Sequence, residues 1–369
     1  MKALIIGGTG TTGPFIMEGL LKRDYQLTML HRGTHEIELP FEVEHLHADP
    51  HWPETLKEAL EGKTFDLVVA TYGRLRHTAE VIKGHTPRLI SVGGQAVYKG
   101  WMKVSDPHVF VSMSESQIPI PEDGFLEDLG VDHFVDRMVE AEEMVMRAHE
   151  EGYYNATHFR YPIVYGPRHI APLEWSIIRR ILDRRKQLVL PNGGLVLLSR
   201  AYAENVAHAM MLAVDNPDSS AGQIYNIRDE RILTNRQWVR LIAHTMNHEF
   251  EFVDLPLSTV RPGYSYAAPS LMMPHHQVMD ITKVREQLGY RDVVPVEKGM
   301  ELTVRWYLEN PPEAGGGLEA NIMDPFDYAA EDKLIRQLKN TLEQLRQLPG
   351  TEYSWSHPYP HPKSPGDLR

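Results

Sequence analysis

The stretch Lys2-Ala3-Leu4-Ile5-Ile6-Gly7-Gly8-Thr9-Gly10-Thr11-Thr12-Gly13 decides the fold of this chain. Its apolar run predicts a buried strand, and the glycines after it predict a tight turn into a helix. A dinucleotide-binding loop requires this order: Gly7 permits the turn, Gly10 lets the backbone approach the pyrophosphate, and Gly13 lets helix and strand pack closely. The N–H groups at the start of the helix then receive the phosphates. We therefore predict a nucleotide site formed by Gly7, Thr9, Gly10, Thr11, Thr12 and Gly13.

Strand-like and helical segments alternate along the first half of the chain. Further helices are predicted at Trp52–Leu60 and Asp132–Glu150, and further strands at Tyr25–Leu30, Glu42–Leu46, Phe65–Ala70, Arg88–Val92 and Ala156–Arg160. Strands joined by crossover helices form a parallel sheet that is covered on both faces. The expected fold class is α/β, with a Rossmann-type doubly wound parallel sheet and a smaller, mainly C-terminal substrate lobe.

The alternation loosens beyond Gly166, which predicts a second lobe. We expect a dinucleotide-binding domain over residues 1–170, with a return segment near 200–230, and an interleaved substrate lobe over residues 171–310. Residues 311–369 are expected to form a linker, an amphipathic helix with an apolar stripe from Leu334 to Leu345, and an aromatic, proline-rich tail. The stripe is expected to dock on the body or on a sister subunit. The role of the tail stays open.

Composition and charge restrict the class of protein. Of the 369 residues, 42% are hydrophobic and 24% are charged, which is close to the average of globular domains. No apolar run approaches the roughly 18 residues of a membrane span, and the N-terminal run is too short for a secretory signal, so we expect a cytoplasmic protein. Cysteine is absent, which excludes disulfides and thiolate chemistry, and the net charge of −12 disfavours non-specific nucleic-acid binding.

The end of the second strand bears on the choice of cofactor. It reads Leu30-His31-Arg32-Gly33, without the acidic residue that commonly binds the ribose of NAD. Arg32 suits a 2′-phosphate instead, so NADP is favoured and NAD remains possible. Because ligands of such sheets lie at the carboxyl ends of the strands, other candidates for cofactor binding are Asp49, near the adenine, and Ala70, Thr71, Tyr72 and Tyr161.

The chain resembles the extended and atypical short-chain dehydrogenase/reductases, which include NAD(P)-dependent sugar epimerases and dehydratases. The resemblance covers about residues 1–310. Besides the glycine loop, it rests on SVGGQAVY at 91–98, RYPIVYGP at 160–167, GQIYNI at 222–227, DITKVREQLGY at 280–290 and GMELTVRWY at 299–307. It implies a Rossmann domain with a smaller substrate lobe, a small-molecule substrate, and a homodimer built partly on the helix Asp132–Glu150.

The catalytic positions depart from this family. Its active members use a Ser or Thr together with a Tyr-x-x-x-Lys motif on a helix, in which the Tyr exchanges a proton with the substrate. In this chain the corresponding residues are Gly94, Phe134 and Met138, and neither Phe134 nor Met138 can transfer a proton. Arg137 is one position away and is expected to point away from the face of Met138.

Tyr98 and His133 are the leading candidates for a replacement catalytic group, and Lys99, Tyr161, Arg168 and His169 are further candidates. Packing is the more common role for Tyr98, and capping or solvent exposure for His133. The predicted substrate-binding residues are Gly94, Tyr98, Phe134, Met138 and Arg168. No metal is predicted, because His45 and His47 alternate on one strand without a visible third ligand.

Two functions remain open from the sequence. The first is an NADP(H)-binding oxidoreductase or epimerase-like enzyme that acts on a small, fairly apolar organic substrate with a non-standard proton donor. The second is a non-catalytic, nucleotide-dependent sensor or binding protein. An RNA-binding version, as in the atypical members of chloroplasts, is disfavoured by the net charge of −12.

Overall fold

A computed structural model describes residues 1–34, 37–101, 117–257, 267–355, 357–359 and 362–367. The chain divides into two compact units, Met1–Asp327 and Tyr328–Arg369. Residues 356, 360–361 and 368–369 of the predicted C-terminal tail lie outside the described residues. The domain boundaries predicted from the sequence stay predictions.

The central feature of the first unit is a parallel sheet with seven strands among the described residues. Its strands are β1 (Lys2–Ile6), β2 (Gln26–His31), β3 (Glu44–His47), β4 (Leu67–Ala70), β5 (Arg88–Gly94), β6 (Asn155–Tyr161) and β11 (Gln223–Asn226). In spatial order, the sheet runs β11-β6-β5-β4-β1-β2-β3, and each neighbouring pair is parallel. The predicted Rossmann-type doubly wound fold is confirmed.

The strand order reverses beside β1. After β3 the chain crosses back over β1 to form β4, so the carboxyl ends of β1 and β4 diverge into loops on opposite sides of one crevice. Thr71, directly after β4, holds the two ends together because its backbone N–H and its hydroxyl both donate to the Ile6 carbonyl, at 3.0 and 3.2 Å. Ligands of open α/β sheets bind at such a crossover point.

Helices cover both faces of the sheet, as the alternation of buried residues requires. On β1, Ala3 and Ile5 face a core formed with α1 (Gly13–Leu21), α6 (Ala203–Asp215) and α8 (Thr282–Leu288). Leu4 and Ile6 face the opposite core, formed with α2 (Pro53–Leu60), α3 (Leu75–Val81) and α4 (His133–Glu150).

A separate core lies in the part of the first unit that follows β6. It includes Tyr165, Trp175, Trp238 and Val304. Three small two-stranded sheets belong to this region: β7 (Ile163–Tyr165) with β10 (Arg200–Tyr202), β8 (Gln187–Pro191) with β13 (Glu251–Leu255), and β9 (Leu197–Leu198) with β12 (Leu233–Thr234). Its helices are α5 (Trp175–Leu182), α7 (Asn235–Thr245), α9 (Val296–Glu309) and α10 (Gly317–Ile322).

The second unit contains one long helix, α11 (Tyr328–Arg346), followed by irregular backbone in the residues that are described. The stripe from Leu334 to Leu345 lies within this helix. Among the described residues, no helix is both long enough and apolar enough to cross a membrane.

Candidate functional site

A cavity of about 330 Å³ opens where the strand order reverses. We call it the glycine-loop cavity. Ten of the predicted cofactor residues line it: Gly7, Thr9, Gly10, Thr11, Thr12, Gly13, Arg32, Thr71, Tyr72 and Tyr161. Two do not. Ala70 is buried inside β4, and the Asp49 carboxylate accepts hydrogen bonds from the N–H and the ring Nδ1 of His51, at 3.0 and 2.7 Å.

The glycines of the loop meet different surroundings. Gly7 has a φ of 103°, and a Cβ there would lie 2.7 Å from the Thr71 hydroxyl oxygen. A Cβ on Gly13 would lie 1.9 Å from the Gly8 carbonyl oxygen, so glycine is required for packing at this position. A Cβ on Gly10 would meet no protein atom within 4 Å. Folding therefore explains Gly7 and Gly13 but not Gly10, which leaves room for a ligand against the backbone.

One end of the glycine-loop cavity is basic. Arg32 follows β2, is exposed, and places its guanidinium 5.6 Å from the ring centroid of Tyr72. His31 and Thr34 line the cavity beside it. No Asp or Glu is among the lining residues in the part of the chain that the structure describes.

The other end is formed by the chain that leaves β6. It brings Tyr161, Val164, His169 and Ile170 to the cavity. The Tyr161 hydroxyl contacts Met210 Sδ at 2.9 Å, and burial raises its pKa. His169 Nδ1 accepts from the Ala171 N–H at 3.1 Å, and burial lowers the pKa of His169. Sequence reasoning had not assigned His169 or Ile170 to the cofactor site, although both follow the RYPIVYGP motif.

A second cavity, of about 600 Å³, lies beside the start of helix α4, and Thr71 lines both cavities. We call it the α4 cavity. Asp132 fixes the start of the helix because its carboxylate accepts from the N–H groups of Phe134 and Val135, at 2.9 and 3.1 Å. The cavity is lined by Thr71, Gly73, Arg74, Leu75, Arg76, Val92, Gly93, His133, Phe134, Arg137, Met138, Ala141 and His158.

The lining of the α4 cavity shows that one prediction was wrong. Arg137 was expected to point away from the face of Met138, yet both side chains line the same cavity. The reason is helical spacing: Phe134, Arg137, Met138 and Ala141 follow the i, i+3, i+4, i+7 pattern of a single helix face. The cavity is therefore more polar than Phe134 and Met138 alone had indicated.

The structure brings together three predicted substrate residues. Phe134 and Met138 line the α4 cavity, and a Cβ on Gly94 would lie 3.1 Å from Met138 Cε. None of the three side chains carries a transferable proton. That they stand at the catalytic positions of the family stays a prediction. Arg168 lines neither cavity.

The two leading catalytic candidates lie in different environments. Tyr98 is fully buried and lines neither cavity. Its hydroxyl donates to Asn226 Oδ1 at 2.6 Å and accepts from Arg160 at 2.8 Å, and burial raises its pKa to about 12. This placement favours the packing role. His133 is exposed and lines the α4 cavity, where it can reach a ligand.

Sequence reasoning missed a buried polar group in the wall of the α4 cavity. His158, on β6, shares a hydrogen bond of 2.8 Å with the Ser91 hydroxyl through Nδ1. Its Nε2 has no hydrogen-bond partner among the described residues and lies 3.4 Å from Glu142 Oε2. Burial lowers the pKa of His158 to about 4, so the ring is neutral at pH 7. Glu142 is paired with Arg160 at 2.6 Å.

The structure also supplies the third histidine that the sequence did not show. Pairing of β2 with β3 places His31 opposite His47, and one ring nitrogen from each of His31, His45 and His47 lies within 4.8 Å of the others. The Gly33 N–H donates to His31 Nδ1 at 3.2 Å. We therefore assign the proton to His31 Nε2, which lies 2.8 Å from His45 Nδ1. This is the pattern of a hydrogen-bonded cluster, and the absence of a metal stays a prediction.

Comparison with known proteins gives sequence matches over parts of the chain. Residues 138–227 match the model of the NAD dependent epimerase/dehydratase family. The chain is 29% identical to the Escherichia coli protein YbjS over 137 residues, which cover 32% of this chain and 40% of that protein. It is 24% identical to the chloroplast stem-loop binding protein of 41 kDa b of Arabidopsis thaliana over 251 residues, which cover 63% of this chain and 60% of that protein. The matches thus span less than two thirds of these curated relatives.

Solved structures resemble this chain over most of its length. UDP-glucose 4-epimerase of Thermotoga maritima, with UDP-glucose, superposes with a TM-score of 0.66 at 17% identity, covering 85% of this chain and 100% of that one. dTDP-glucose 4,6-dehydratase of Bacillus anthracis, in complex with NAD, gives a TM-score of 0.64 at 16% identity, covering 84% and 97%. The resemblance predicted from the sequence is confirmed: the chain matches the NAD dependent epimerase/dehydratase family over residues 138–227 and has the fold of these epimerases and dehydratases.

Proposed function

We propose that this chain is an NADP(H)-binding oxidoreductase or epimerase-like enzyme that acts on a small, fairly apolar organic substrate. The observation that carries the proposal is the glycine-loop cavity, which joins a phosphate-binding type of loop to a basic end at Arg32. The space beside Gly10 is open, and N–H groups at the start of α1 are suited to phosphate oxygens. Relatives of the same fold bind NAD in their complexes.

The preference for NADP over NAD rests on charge. A guanidinium forms paired, charge-assisted hydrogen bonds to a phosphate, whereas a carboxylate is the common partner of a free ribose 2′-hydroxyl. Arg32 lines the cavity, and no carboxylate is among its described lining residues. His31 and Thr34 add hydrogen-bonding groups beside Arg32.

The proposed chemistry works without the family's Tyr and Lys. NADP(H), when bound, supplies hydride chemistry. On the protein side, Phe134 and Met138 provide apolar surface for the substrate, and His133 is the exposed titratable group that can exchange a proton with it. Hydride addition to an activated double bond suits such a site, because the enolate that results is stabilised and can take its proton from water.

The enzyme proposal is tested by hydride consumption. The purified chain is mixed with NADPH and a panel of activated alkenes and carbonyl compounds, and absorbance at the nicotinamide band is followed. We expect NADPH oxidation with at least one activated alkene and a lower rate in His133→Gln. Tight NADPH binding without oxidation across the panel would remove the reductase version of the proposal.

A nucleotide-dependent sensor is the second candidate. It is favoured by the replacement of the family's catalytic positions by Gly94, Phe134 and Met138, and by the similarity to a protein named for stem-loop binding. The net charge of −12 still opposes the RNA-binding version. Retention of NADPH together with inactivity on alkenes, carbonyls and nucleotide sugars is the result expected of a sensor. By resemblance to the family, we further propose a homodimer formed partly through α4.

A further inference from the structure

The lining of the α4 cavity carries a concentration of positive charge. Arg74, Arg76 and Arg137 all contribute to it. No Asp or Glu is among the residues described in this lining. The chain as a whole has a charge of −12, so this cluster opposes the overall balance.

The three arginines are held in different ways. Arg74 donates to the His51 carbonyl at 3.4 Å and lies over the Trp52 ring, 5.0 Å from its centroid. Arg137 pairs with Glu140, one turn further along α4, at 2.6 Å. Arg76, at the start of α3, has no hydrogen bond or ion pair with the described residues, and it is only partly exposed.

The electrostatic balance at Arg76 is unfavourable in the free protein. Burial lowers its pKa, and the positive charges of Arg137 and Arg74 lower it further, while Glu140 offsets part of this effect. Like charges that face one cavity repel each other unless an anion lies between them. A bound oxyanion would therefore gain hydrogen bonds from Arg76 and remove repulsion among the arginines.

The other residues that line the α4 cavity indicate the remaining chemistry of the ligand. Leu75, Val92, Phe134 and Met138 supply apolar surface. In the cavity wall, His158 Nε2 is buried without a hydrogen-bond partner. A Cβ on Gly93 would lie 2.6 Å from this nitrogen, so the His158 ring packs directly against the Gly93 backbone. The cavity thus combines cations with an apolar surface.

We infer that the α4 cavity binds a substrate with an apolar body and an anionic oxygen group, a carboxylate or a phosphate, which Arg76 and Arg137 hold. The inference rests on the proposed function, since it names the substrate class of that enzyme. The shared chemistry is an oxyanion. A phosphate of the nucleotide cofactor is the other possible source of this group, and the experiment separates the two.

The test uses calorimetric titration of the full chain at saturating NADP⁺, with hexanoate, inorganic phosphate and neutral hexanamide as probes. We expect hexanoate to bind and hexanamide to bind at least 10-fold more weakly. Arg76→Gln should weaken hexanoate binding about 10- to 100-fold, as the loss of a charge-assisted hydrogen bond implies. Arg137→Gln, at an exposed position of the helix, should also weaken hexanoate binding. Arg305→Gln, which removes an exposed arginine from α9, is the matched control.

The cofactor arm measures NADPH affinity in the same variants. Weaker hexanoate binding with unchanged NADPH affinity in Arg76→Gln supports the inference. Weaker NADPH binding with unchanged hexanoate binding would assign the arginines to the cofactor and overturn the inference. Equal binding of hexanoate and hexanamide to the original chain would also overturn it. If NADPH does not bind at all, the proposed function fails, whereas titration of hexanoate without a cofactor still reports on the arginines.

Discussion

Gly10 and Gly13 offer a matched pair of alanine substitutions with different expected effects on stability. A Cβ on Gly13 would lie 1.9 Å from the Gly8 carbonyl oxygen, so the loop or the start of α1 must shift. Overpacking of this kind costs about 1–3 kcal/mol of stability. A Cβ on Gly10 would meet no protein atom within 4 Å, and the φ of Gly10 is outside the left-handed region. Gly10→Ala should therefore change the free energy of unfolding by less than about 1 kcal/mol.

Nucleotide binding, unlike stability, should be clearly weakened by Gly10→Ala. If a pyrophosphate approaches the backbone at Gly10, a methyl group there displaces it and weakens at least one hydrogen bond to a charged group. A bond of this kind is worth about 1.5–3 kcal/mol, or roughly 10- to 150-fold in affinity. Urea unfolding and NADPH titration by fluorescence measure the two effects on the same samples. A Gly10→Ala protein that binds NADPH as tightly as the original chain would refute the assignment of the loop.

Three further predictions concern other residues. Arg32→Ala should lower NADPH affinity about 10- to 100-fold in equilibrium titrations and leave NADH affinity nearly unchanged, because only NADPH carries the 2′-phosphate. Equal losses of affinity for NADPH and NADH would contradict the role of Arg32. Glu142→Ala should destabilise the chain by about 3–5 kcal/mol in urea unfolding, because it leaves Arg160 buried without its partner; a loss below about 1 kcal/mol would show that the pair is not needed. Burial lowers the pKa of His158 to about 4, so the unfolded chain takes up a proton at a higher pH than the folded chain. Stability should therefore fall as pH drops from about 6.5 towards 4, by about 1.4 kcal/mol per pH unit at most. His158→Gln should reduce this dependence of stability on pH, and an unchanged dependence would assign it to other groups.

Local patterns in the sequence predicted the sheet and the glycine loop. The strand Lys2–Ile6, the glycines and the helix that follows are adjacent in the chain, so burial and turn geometry act on neighbouring residues. Arg32 and Thr71 were found because the carboxyl ends of parallel strands meet at one edge. The positions of Phe134 and Met138 on one helix face followed from their spacing.

Contacts between distant segments were not predictable in this way. His31 joins His45 and His47 only through the pairing of β2 with β3, and no local pattern specifies that register. His158 lies 67 positions from Ser91 along the chain, and the two meet through the pairing of β5 with β6. The cationic lining of the α4 cavity likewise combines the start of α3 with the start of α4.

The central claim is that the chain binds a dinucleotide through its glycine loop and prefers NADP. Native mass spectrometry of the purified protein, with NADP⁺ and NAD⁺ present at equal concentration, tests it most directly. The account predicts a complex that retains NADP⁺ in preference to NAD⁺, and loss of that preference in Arg32→Ala. Retention of neither nucleotide, or preferential retention of NAD⁺, would contradict it.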